Sequence, residues 1–258
     1  MEANIYSQVK DSIKRNLKID LENYKPDQMK RRLDSWLVRS RVDTWKDYFD
    51  LLSIDVNELE KFRNYLTINV TEFFRDPNRW DTVRNEIIPY LQKESNELKL
   101  WSAGCSIGAE PYTLAILMAD AFPQQKYSLL ATDLDRGALT KARSRGPYSP
   151  EDIHNLDAAQ RQRYVSTTAP YYVSENLQKQ IRFEEQDLLA GRFGTGFDLI
   201  VCRNVVIYFT AEAKDVLYAK FAAALRPGGV LFLGGTEIIS GAGKFGLQNF
   251  SISFYRKG

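Results

Sequence analysis

The sequence has 258 residues, 44% of them apolar and 26% charged, and its 35 Lys and Arg against 33 Asp and Glu leave a net charge of +2. This composition is typical of a globular protein with a sizeable core, excludes disorder and fibrous repeats, and gives no support for a nucleic-acid partner. Two cysteines and one histidine cannot form a Cys/His zinc set or a disulfide framework, and there is no export signal or run of about 18 apolar residues, so we expect a cytoplasmic protein with no metal and no membrane insertion.

Residues 1–70 are predicted to form an all-helical N-terminal domain. Up to about residue 68 there is no glycine and a single proline, Pro26, while apolar residues recur at helical spacing. Asp43 and Asp55 are predicted to cap two of the helices, and Glu58 stands at the third helical position after Asp55, as in a capping box.

Residues 71–258 are predicted to form an α/β domain with a doubly wound, mostly parallel sheet. Asp76-Pro77 is predicted to cap and begin a helix that continues to Leu91. Short apolar runs then alternate with helical patterns, which is typical of βαβ units. The predicted strands are 98–103, 127–132, 197–202, 230–234 and 251–256, and the predicted helices are 111–122, 135–144 and 211–225. Residues 146–186 interrupt the alternation and are interpreted as an inserted β-containing subdomain that includes the run 181–185.

A glycine-containing turn follows the first predicted strand, in the stretch Gly104-Cys-Ser-Ile-Gly108-Ala-Glu110-Pro111. Ligands of open parallel sheets bind at the carboxyl ends of the strands, so this turn is predicted to bind a cofactor. Glu110 argues against a phosphate at this helix N-terminus, and the glycine spacing misses the dinucleotide pattern. An acid there suits a ligand with an amino group or a sulfonium, and S-adenosylmethionine (SAM) carries both.

The second predicted strand ends in Thr132-Asp133-Leu134-Asp135. A carboxylate at a strand end can accept both hydroxyls of a ribose, so Asp133 is the candidate for that contact. The structural alternative for an acid at this place is a helix N-cap, and Asp135 is better placed for it.

An apolar strand passes directly into Arg203 and Asn204, followed by Val205 and Tyr208. An asparagine there can hydrogen bond a purine edge, a carboxylate or backbone, and a tyrosine offers a hydroxyl and a ring. The alternative is a buried asparagine that satisfies a turn and a tyrosine that belongs to the core.

Polar and aromatic residues are mixed in the stretch Asn69-Val-Thr71-Glu-Phe-Phe-Arg75-Asp76. Asn69, Thr71 and Arg75 together are enough to bind a carboxylate. The alternative is a surface ion pair between Arg75 and Asp76.

Four ordered motifs closely resemble those of the CheR family of chemotaxis receptor glutamate O-methyltransferases. They are N-x-T-x-F-F-R-D from Asn69, S-A-G-C-S-x-G-x-E-P-Y from Ser102, A-T-D-L-D from Ala131 and C-R-N-V-x-I-Y-F from Cys202. The resemblance covers essentially the whole chain. It implies the class I SAM-dependent methyltransferase fold and substrates that are glutamates on the cytoplasmic helical bundle of chemoreceptors, with glutamyl methyl esters and S-adenosylhomocysteine as products. Separately, we expect a monomer.

The resemblance also implies a set of pocket residues. Arg75 and Tyr208 would lie nearest the transferred methyl, and Asp187 stands where the family often has an amide. The residues that would line the SAM pocket are Asn69, Thr71, Arg75, Glu110, Asp133, Asp187, Leu188, Asn204 and Val205.

The expected acceptor, a glutamate with an ordinary pKa near 4.3, is already ionised at neutral pH and attacks a sulfonium without a general base. We therefore expect Arg75 to orient the acceptor carboxylate and Tyr208 to shape the methyl-transfer channel. Arg31, Arg32 and Arg39 are predicted to lie on the helical face opposite the apolar residues and to steer an acidic receptor helix. A merely solvated face is the alternative.

Two other functions fit parts of the pattern. The sheet and the cofactor turn are shared by methyltransferases of RNA and of small molecules, since the fold does not define the acceptor. A non-catalytic SAM sensor is the third reading, which the presence of Arg75 and Tyr208 disfavours. Residues 166–173 lack the glycine of the family's tail-docking hairpin, so we expect no docking of a receptor tail on the insertion.

Overall fold

The glycine-free N-terminal sequence forms α-helices in the computed structural model, which describes residues 1–67 and 69–258. Their bounds are Ala3–Leu17 for α1, Pro26–Ser40 for α2, Trp45–Leu52 for α3 and Val56–Thr67 for α4. Each helix buries an apolar stripe, as α1 does with Val9, Ile13 and Leu17. These helices and the segment Ile207–Asp215 belong to one compact unit, and Asn69–Val206 with Val216–Gly258 make a second.

The helix caps of the first unit follow from short side chains at the helix starts. Asp55 caps α4 as predicted, because its Oδ1 accepts the N–H of Glu58 at 3.0 Å. The predicted cap at Asp43 is wrong. Thr44 is the residue next to the first helical position of α3, and its Oγ1 accepts the N–H of Asp47 at 3.2 Å.

The second unit is built on a sheet whose strands, seven over the described residues, lie in the order β3-β2-β1-β4-β5-β7-β6. Their bounds are Glu97–Ala103 for β1, Lys126–Asp133 for β2, Ile181–Glu185 for β3, Phe197–Cys202 for β4, Leu225–Leu233 for β5, Leu247–Ser251 for β6 and Phe254–Lys257 for β7. The first five strands pair in parallel, whereas β7 runs antiparallel to β5 and β6 antiparallel to β7. The strand order reverses between β1 and β4, so the ligand crevice of such a fold is expected at their carboxyl ends.

Helices connect these strands. Their bounds are Pro77–Thr82 for α5, Ile88–Gln92 for α6, Ala109–Ala121 for α7, Arg136–Arg143 for α8, Ala158–Tyr164 for α9, Glu175–Gln178 for α10 and Ala211–Ala224 for α11. The first ten residues of α7 are all buried, which explains why this helix lacks a polar face. The predicted single helix from Pro77 to Leu91 is interrupted by a π-helical segment, Val83–Ile87. Pro89 follows at once and has no N–H to donate to the helical ladder, which is a usual cause of such an irregularity.

Two strand predictions need correction. The run 181–185 is not part of an insertion but β3 of the main sheet, where Phe183 is in register with Ala131 of β2. Its alternating burial is that of an edge strand, so it lacks the continuous apolar run of the central strands. The residues before it contain isolated antiparallel bridges, Tyr148 with Tyr171 and Val165 with Val173. The predicted strand 251–256 is divided by a turn, because Ser251 ends β6 and β7 begins at Phe254. The turn predicted at Arg226–Gly229 is the start of β5.

Neither a membrane span nor a metal cluster emerges from the described part of the chain. Among those residues no helix is long and apolar enough to cross a bilayer. No group of three or more His, Cys, Asp and Glu side chains there is arranged to hold a metal ion.

Candidate active site

The turn after β1 is packed against the turn after β4 at Gly104. This residue has φ +83°, and a Cβ on it would lie 2.5 Å from Cγ2 of Val205. Its N–H donates to the carbonyl oxygen of Thr132 at 2.8 Å, which joins the ends of β1 and β2. Only glycine combines this backbone angle with this close approach, so the predicted cofactor turn needs Gly104 for two independent reasons.

Glu110 lies in the first turn of α7 and is 9% exposed. Its Oε1 accepts the hydroxyl of Ser102 at 2.7 Å. Burial raises the pKa of Glu110 to about 7, against the opposing effects of the Arg203 charge and the Ser102 hydrogen bond. A cationic ligand group beside this carboxyl would favour its ionised form.

Asp133 lies at the end of β2 and accepts two backbone hydrogen bonds. Oδ2 accepts the N–H of Ser106 at 2.7 Å, and Oδ1 accepts the N–H of Asp135 at 2.9 Å. Burial raises the pKa of Asp133 to about 6 despite these bonds. Asp135, as predicted, caps α8 by accepting the N–H of Ala138 at 2.9 Å. The two acids therefore have different partners, and a carboxylate oxygen can accept more than the single bond each Asp133 oxygen receives from backbone.

Asn69 connects the loop after β1 to the start of α8. Its Nδ2 donates to Oδ2 of Asp135 at 2.5 Å, and its Oδ1 accepts the hydroxyl of Ser106 at 2.8 Å. Both partners of this predicted pocket residue, Ser106 and Asp135, also donate their backbone N–H groups to Asp133. Thr71 is half-buried.

Arg75 and Asp76 do not form the ion pair weighed as an alternative. Nη1 of Arg75 donates to the carbonyl oxygen of Val70 at 3.0 Å. Asp76 stands at the N-cap position of α5, before Pro77, as predicted, but it has φ +58° and its side chain makes no capping hydrogen bond. Its Oδ2 instead accepts Nη2 of Arg203 at 2.5 Å, across 127 positions of the sequence.

Arg203 is a buried cation at the end of β4, with 6% of its surface exposed. Its guanidinium lies 5.0 Å from the ring centroid of Phe232 and 5.6 Å from that of Trp80. The charges that act on it most strongly are those of Glu110 and Asp76. Arg203 therefore compensates the charge of these two acids.

Asn204 adopts φ +58°, and its side-chain Oδ1 is buried without a hydrogen-bond partner among the described residues. Its backbone N–H donates to Oε2 of Glu237 at 2.9 Å, and the same oxygen accepts the N–H of Gly234 at 2.6 Å. Glu237 is 4% exposed and was not predicted. The sequence does contain a signal for Glu237. It follows the end of β5, just as the predicted site residues follow the ends of β1, β2 and β4.

Asp187 closes the turn that follows β3. Its Oδ1 accepts the N–H groups of Leu189 at 2.7 Å and of Ala190 at 3.1 Å. Leu188 is buried, and its carbonyl oxygen accepts Nζ of Lys220 at 2.7 Å. An amide oxygen could accept the same two N–H groups, so these bonds fit an acid or an amide at this position.

Tyr208 belongs to the first unit, and the structure places it there by backbone contacts. Its carbonyl oxygen accepts the N–H of Lys25 at 2.9 Å, and its side chain is half-buried. The neighbouring Phe209 ring lies 5.1 Å from that of Tyr24 in an edge-to-face arrangement.

The three arginines of α2 do not share one free face, so that prediction is corrected. Arg31 is exposed, with Nε donating to the carbonyl oxygen of Asp27 at 3.2 Å. The guanidinium of Arg32 instead lies 4.6 Å from the ring centroid of Tyr65 and donates to its carbonyl oxygen. Arg39 is exposed with its guanidinium 5.7 Å from the same ring. At roughly 100° per residue, positions 32 and 39 flank the apolar stripe and only position 31 lies opposite it.

The two cysteines are not suited to act as nucleophiles. Cys105 and Cys202 are both buried and free, and burial raises the pKa of each thiol well above its ordinary value. Neither is therefore a thiolate at neutral pH.

The residues at these strand ends fit SAM. Glu110 and Asp133 suit a cationic amino acid part and a ribose, and the buried Oδ1 of Asn204 suits a hydrogen-bond donor. Together with an open, mostly parallel sheet of this strand order, they define a class I SAM-dependent methyltransferase.

Comparison with known proteins makes the assignment specific. Residues 69–252 match the family model described as CheR methyltransferase, SAM binding domain, and residues 4–67 match CheR methyltransferase, all-alpha domain. The chain belongs to the CheR methyltransferase family, as the motifs predicted, and is a SAM-dependent methyltransferase of chemotaxis.

Individual relatives agree with the family match. The chemotaxis protein methyltransferase of Listeria innocua is 43% identical, over 95% of this chain and 94% of that protein. That of Escherichia coli K12 is 33% identical, over 86% of this chain and 80% of that protein. Among solved structures, SAM-bound CalS10, an amino pentose methyltransferase of Micromonospora echinaspora, aligns with a TM-score of 0.37 and 22% identity, over 60% of this chain and 49% of that one.

Proposed function

We propose that this enzyme transfers the methyl group of SAM to glutamate side chains on the cytoplasmic helical bundle of chemoreceptors. The products are glutamyl methyl esters and S-adenosylhomocysteine, and the enzyme works in the cytoplasm as a monomer. The family match supports methyl transfer in chemotaxis, and the names of the relatives support a chemotactic substrate.

The observation that carries the SAM-binding part of the proposal is a pair of acids, the buried Glu110 at the start of α7 and the half-buried Asp133 at the end of β2. Glu110 would bind the ammonium group of SAM, and Asp133 would accept its ribose hydroxyls. Asn204 would accept a donor with its otherwise unbonded Oδ1. The pocket would be completed by Val205, Leu188, Thr71 and Asn69. Asp187 would lie near the adenine.

The acceptor chemistry needs little from the protein beyond placement. When bound, SAM supplies a methyl group on a sulfonium, which an ionised carboxylate accepts without a general base. The protein must hold the two partners in line and exclude water around the acceptor oxygen. The buried, protonated thiols of Cys105 and Cys202 fit a reaction that uses no enzyme nucleophile.

The substrate side rests on arginines. We propose that Arg75 orients the acceptor carboxylate and that Tyr208 lines the methyl-transfer channel. The exposed Arg31 and Arg39 are free to steer an acidic receptor helix, whereas Arg32 is held against Tyr65. The insertion is proposed to guide that helix without docking a receptor tail.

The test is transfer of radioactive methyl from SAM to membranes that contain a purified chemoreceptor. We expect base-labile radioactivity on the receptor, as methyl esters give, and a loss of about 10- to 100-fold in kcat/KM for Asp133→Ala, because charge-assisted hydrogen bonds to the ribose are removed. Asp81→Ala, an exposed acid on α5, is the matched control and should retain full activity.

The other outcomes separate the alternatives. Base-stable label on RNA or a small molecule would replace the receptor as substrate. Binding of S-adenosylhomocysteine without methyl transfer to any acceptor would indicate a sensor. Full activity of Asp133→Ala would contradict the ribose contact.

A further inference from the structure

We propose that Glu237 is a positioning residue of the SAM site and acts through Asn204. One oxygen of its carboxylate accepts the N–H groups of Asn204 at 2.9 Å and of Gly234 at 2.6 Å. The inference rests on the proposed role of Asn204 in binding SAM. It adds a residue that contacts neither the cofactor nor the acceptor in the proposed site.

Glu237 joins β4 and β5 where their ladder has ended. The last registered pair is Cys202 with Leu233, so the paired part of these two strands ends there. The carboxylate takes over at that point, bonding one N–H from each strand end. Hydrogen bonds to a buried charge are among the stronger ones in proteins, which makes Glu237 a firm connection.

The hydrogen bond from Asn204 to Glu237 stabilises an unusual backbone conformation of Asn204. Its φ of +58° lies in the left-handed region, which asparagine enters more readily than most residues with a Cβ but which still costs energy. The N–H of the strained residue is the group that Glu237 bonds. Loss of the carboxylate would let the backbone relax and turn the Asn204 side chain away from its present direction.

Gly234 is shaped to the same contact. A Cβ at this position would lie 2.6 Å from Oε2 of Glu237 and 3.0 Å from the backbone nitrogen of Asn204. Any side chain at 234 would therefore push the carboxylate or the turn aside. Gly234 and Glu237 therefore position Asn204 together, and a substitution of either should weaken cofactor binding in the same way.

Movement of the Asn204 turn would also reach the turn after β1. Val205 follows directly and touches Gly104 so closely that a Cβ there would be 2.5 Å away. Tight packing leaves little room for the turn to shift alone. Glu237 thus acts on two predicted cofactor contacts, Asn204 and Gly104, without touching the ligand.

The experiment measures the dissociation constant of S-adenosylhomocysteine by calorimetry on the full chain. Glu237→Ala should raise it by about 10- to 100-fold, the effect of losing hydrogen bonds to a buried charge. Gly234→Ala should raise it similarly while leaving the acid in place. Glu237→Gln should recover most of the affinity, because its amide oxygen can accept the same two N–H groups.

A double-mutant cycle distinguishes positioning from general stability. In an Asn204→Gly background, where glycine tolerates the backbone angle and no side chain remains to be placed, Glu237→Ala should weaken binding much less than in the parent. Glu86→Gln, an exposed acid at the surface of the same unit, should leave the affinity unchanged. Melting temperatures confirm that each variant is folded at the temperature of the titration.

The results that overturn the inference are distinct from those that overturn the proposed site. If Asn204→Gly weakens binding but folded Glu237→Ala and Gly234→Ala bind within about twofold of the parent, Glu237 has no positioning role. An equal effect of Glu237→Ala in both backgrounds would mean that it does not act through Asn204. If Asn204→Gly itself binds normally, the proposed cofactor contact is wrong.

Discussion

The carboxyl group of Glu110 shows how this site is adapted to a cation. It is buried at the N-terminus of α7, and its pKa is raised to about 7 because burial disfavours the charged form. The positive charge of Arg203 opposes that rise of the pKa. The balance leaves an acid that is partly protonated at neutral pH until a positive ligand arrives.

We predict that the affinity for S-adenosylhomocysteine rises with pH until about pH 7 and then levels off. Its ammonium group favours ionised Glu110, so below the pKa of about 7 binding must release a proton and weakens by up to about tenfold per pH unit. Calorimetry between about pH 5.5 and 8.5 measures the profile.

The matched variant is Glu110→Gln, which can still accept the Ser102 hydroxyl but cannot titrate. Its profile should be flat above about pH 6.5, leaving only the contribution of Asp133, whose pKa is about 6. The Glu110 pKa also makes the stability of the ligand-free protein depend on pH, in the opposite direction: stability falls as pH rises. Because the folded pKa of Glu110 exceeds the unfolded value of 4.5, its stabilising contribution is lost as pH rises to about 7. A parent profile identical to that of Glu110→Gln would contradict the assignment.

At the scale of an element, α2 shows that charge spacing alone does not define a binding face. Arg32 and Arg39 carry the same charge as Arg31, yet they flank the buried stripe and lie near the ring of Tyr65. A long side chain can pack its stem and guanidinium on an aromatic surface at the edge of a core. Arg32, which is half-buried and bonds the Tyr65 carbonyl oxygen, is therefore part of the helical unit and less available to a partner, whereas Arg39 remains exposed.

We predict that Arg32→Ala lowers the free energy of unfolding by about 1 kcal/mol, because it removes the cation–π contact and the bond to the Tyr65 carbonyl. Arg31→Ala, one residue away on the exposed face, should change it by less than about 0.5 kcal/mol. Urea unfolding measures both. Equal effects of the two substitutions would show that the Tyr65 contact is not stabilising.

At the scale of the whole chain, the segment Ile207–Asp215 joins the N-terminal helices even though it lies far along the sequence. The contacts are specific: the N–H of Lys25 donates to the carbonyl oxygen of Tyr208 at 2.9 Å, and the N–H of Thr210 donates to that of Asn23 at 3.0 Å. The residue expected at the methyl-transfer channel is therefore held by the unit that also carries the arginines of α2.

We predict that Lys25→Pro loosens this segment. Lys25 has φ −59°, close to the roughly −65° that proline imposes, so the substitution removes the N–H donor without changing the backbone path. Amide exchange at Thr210 should accelerate by about 5- to 10-fold, as expected when a hydrogen bond of about 1 kcal/mol is lost next to it.

Lys25→Ala removes the same side chain but keeps the N–H, so it is the control and should leave exchange at Thr210 unchanged. Hydrogen–deuterium exchange with peptide-level detection measures both variants. The same acceleration in both would assign the effect to the lysine side chain and not to the bond with Tyr208.

Much of the sheet and part of the site follow from local sequence alone. The bounds of β4, Phe197–Cys202, are those predicted, because this run is apolar apart from Asp198 and its residues are all buried, as in a central strand of a parallel sheet. The N-cap at Asp135 could likewise be predicted from the sequence, because a cap involves only the next three residues. Gly104 was recognised as part of a turn, although its contact with Val205 was not.

Only the tertiary structure decided which distant groups meet. Asp76 was predicted to cap a helix, but its side chain bonds Arg203. Glu237 accepts the N–H groups of Asn204 and Gly234, and no spacing in the sequence indicates that these groups meet. The edge strand β3 was placed in an insertion for a similar reason. Apolar periodicity reports burial along one element, whereas the partner of a buried charge or of an edge strand is set by how elements pack, and that information is spread over the whole chain.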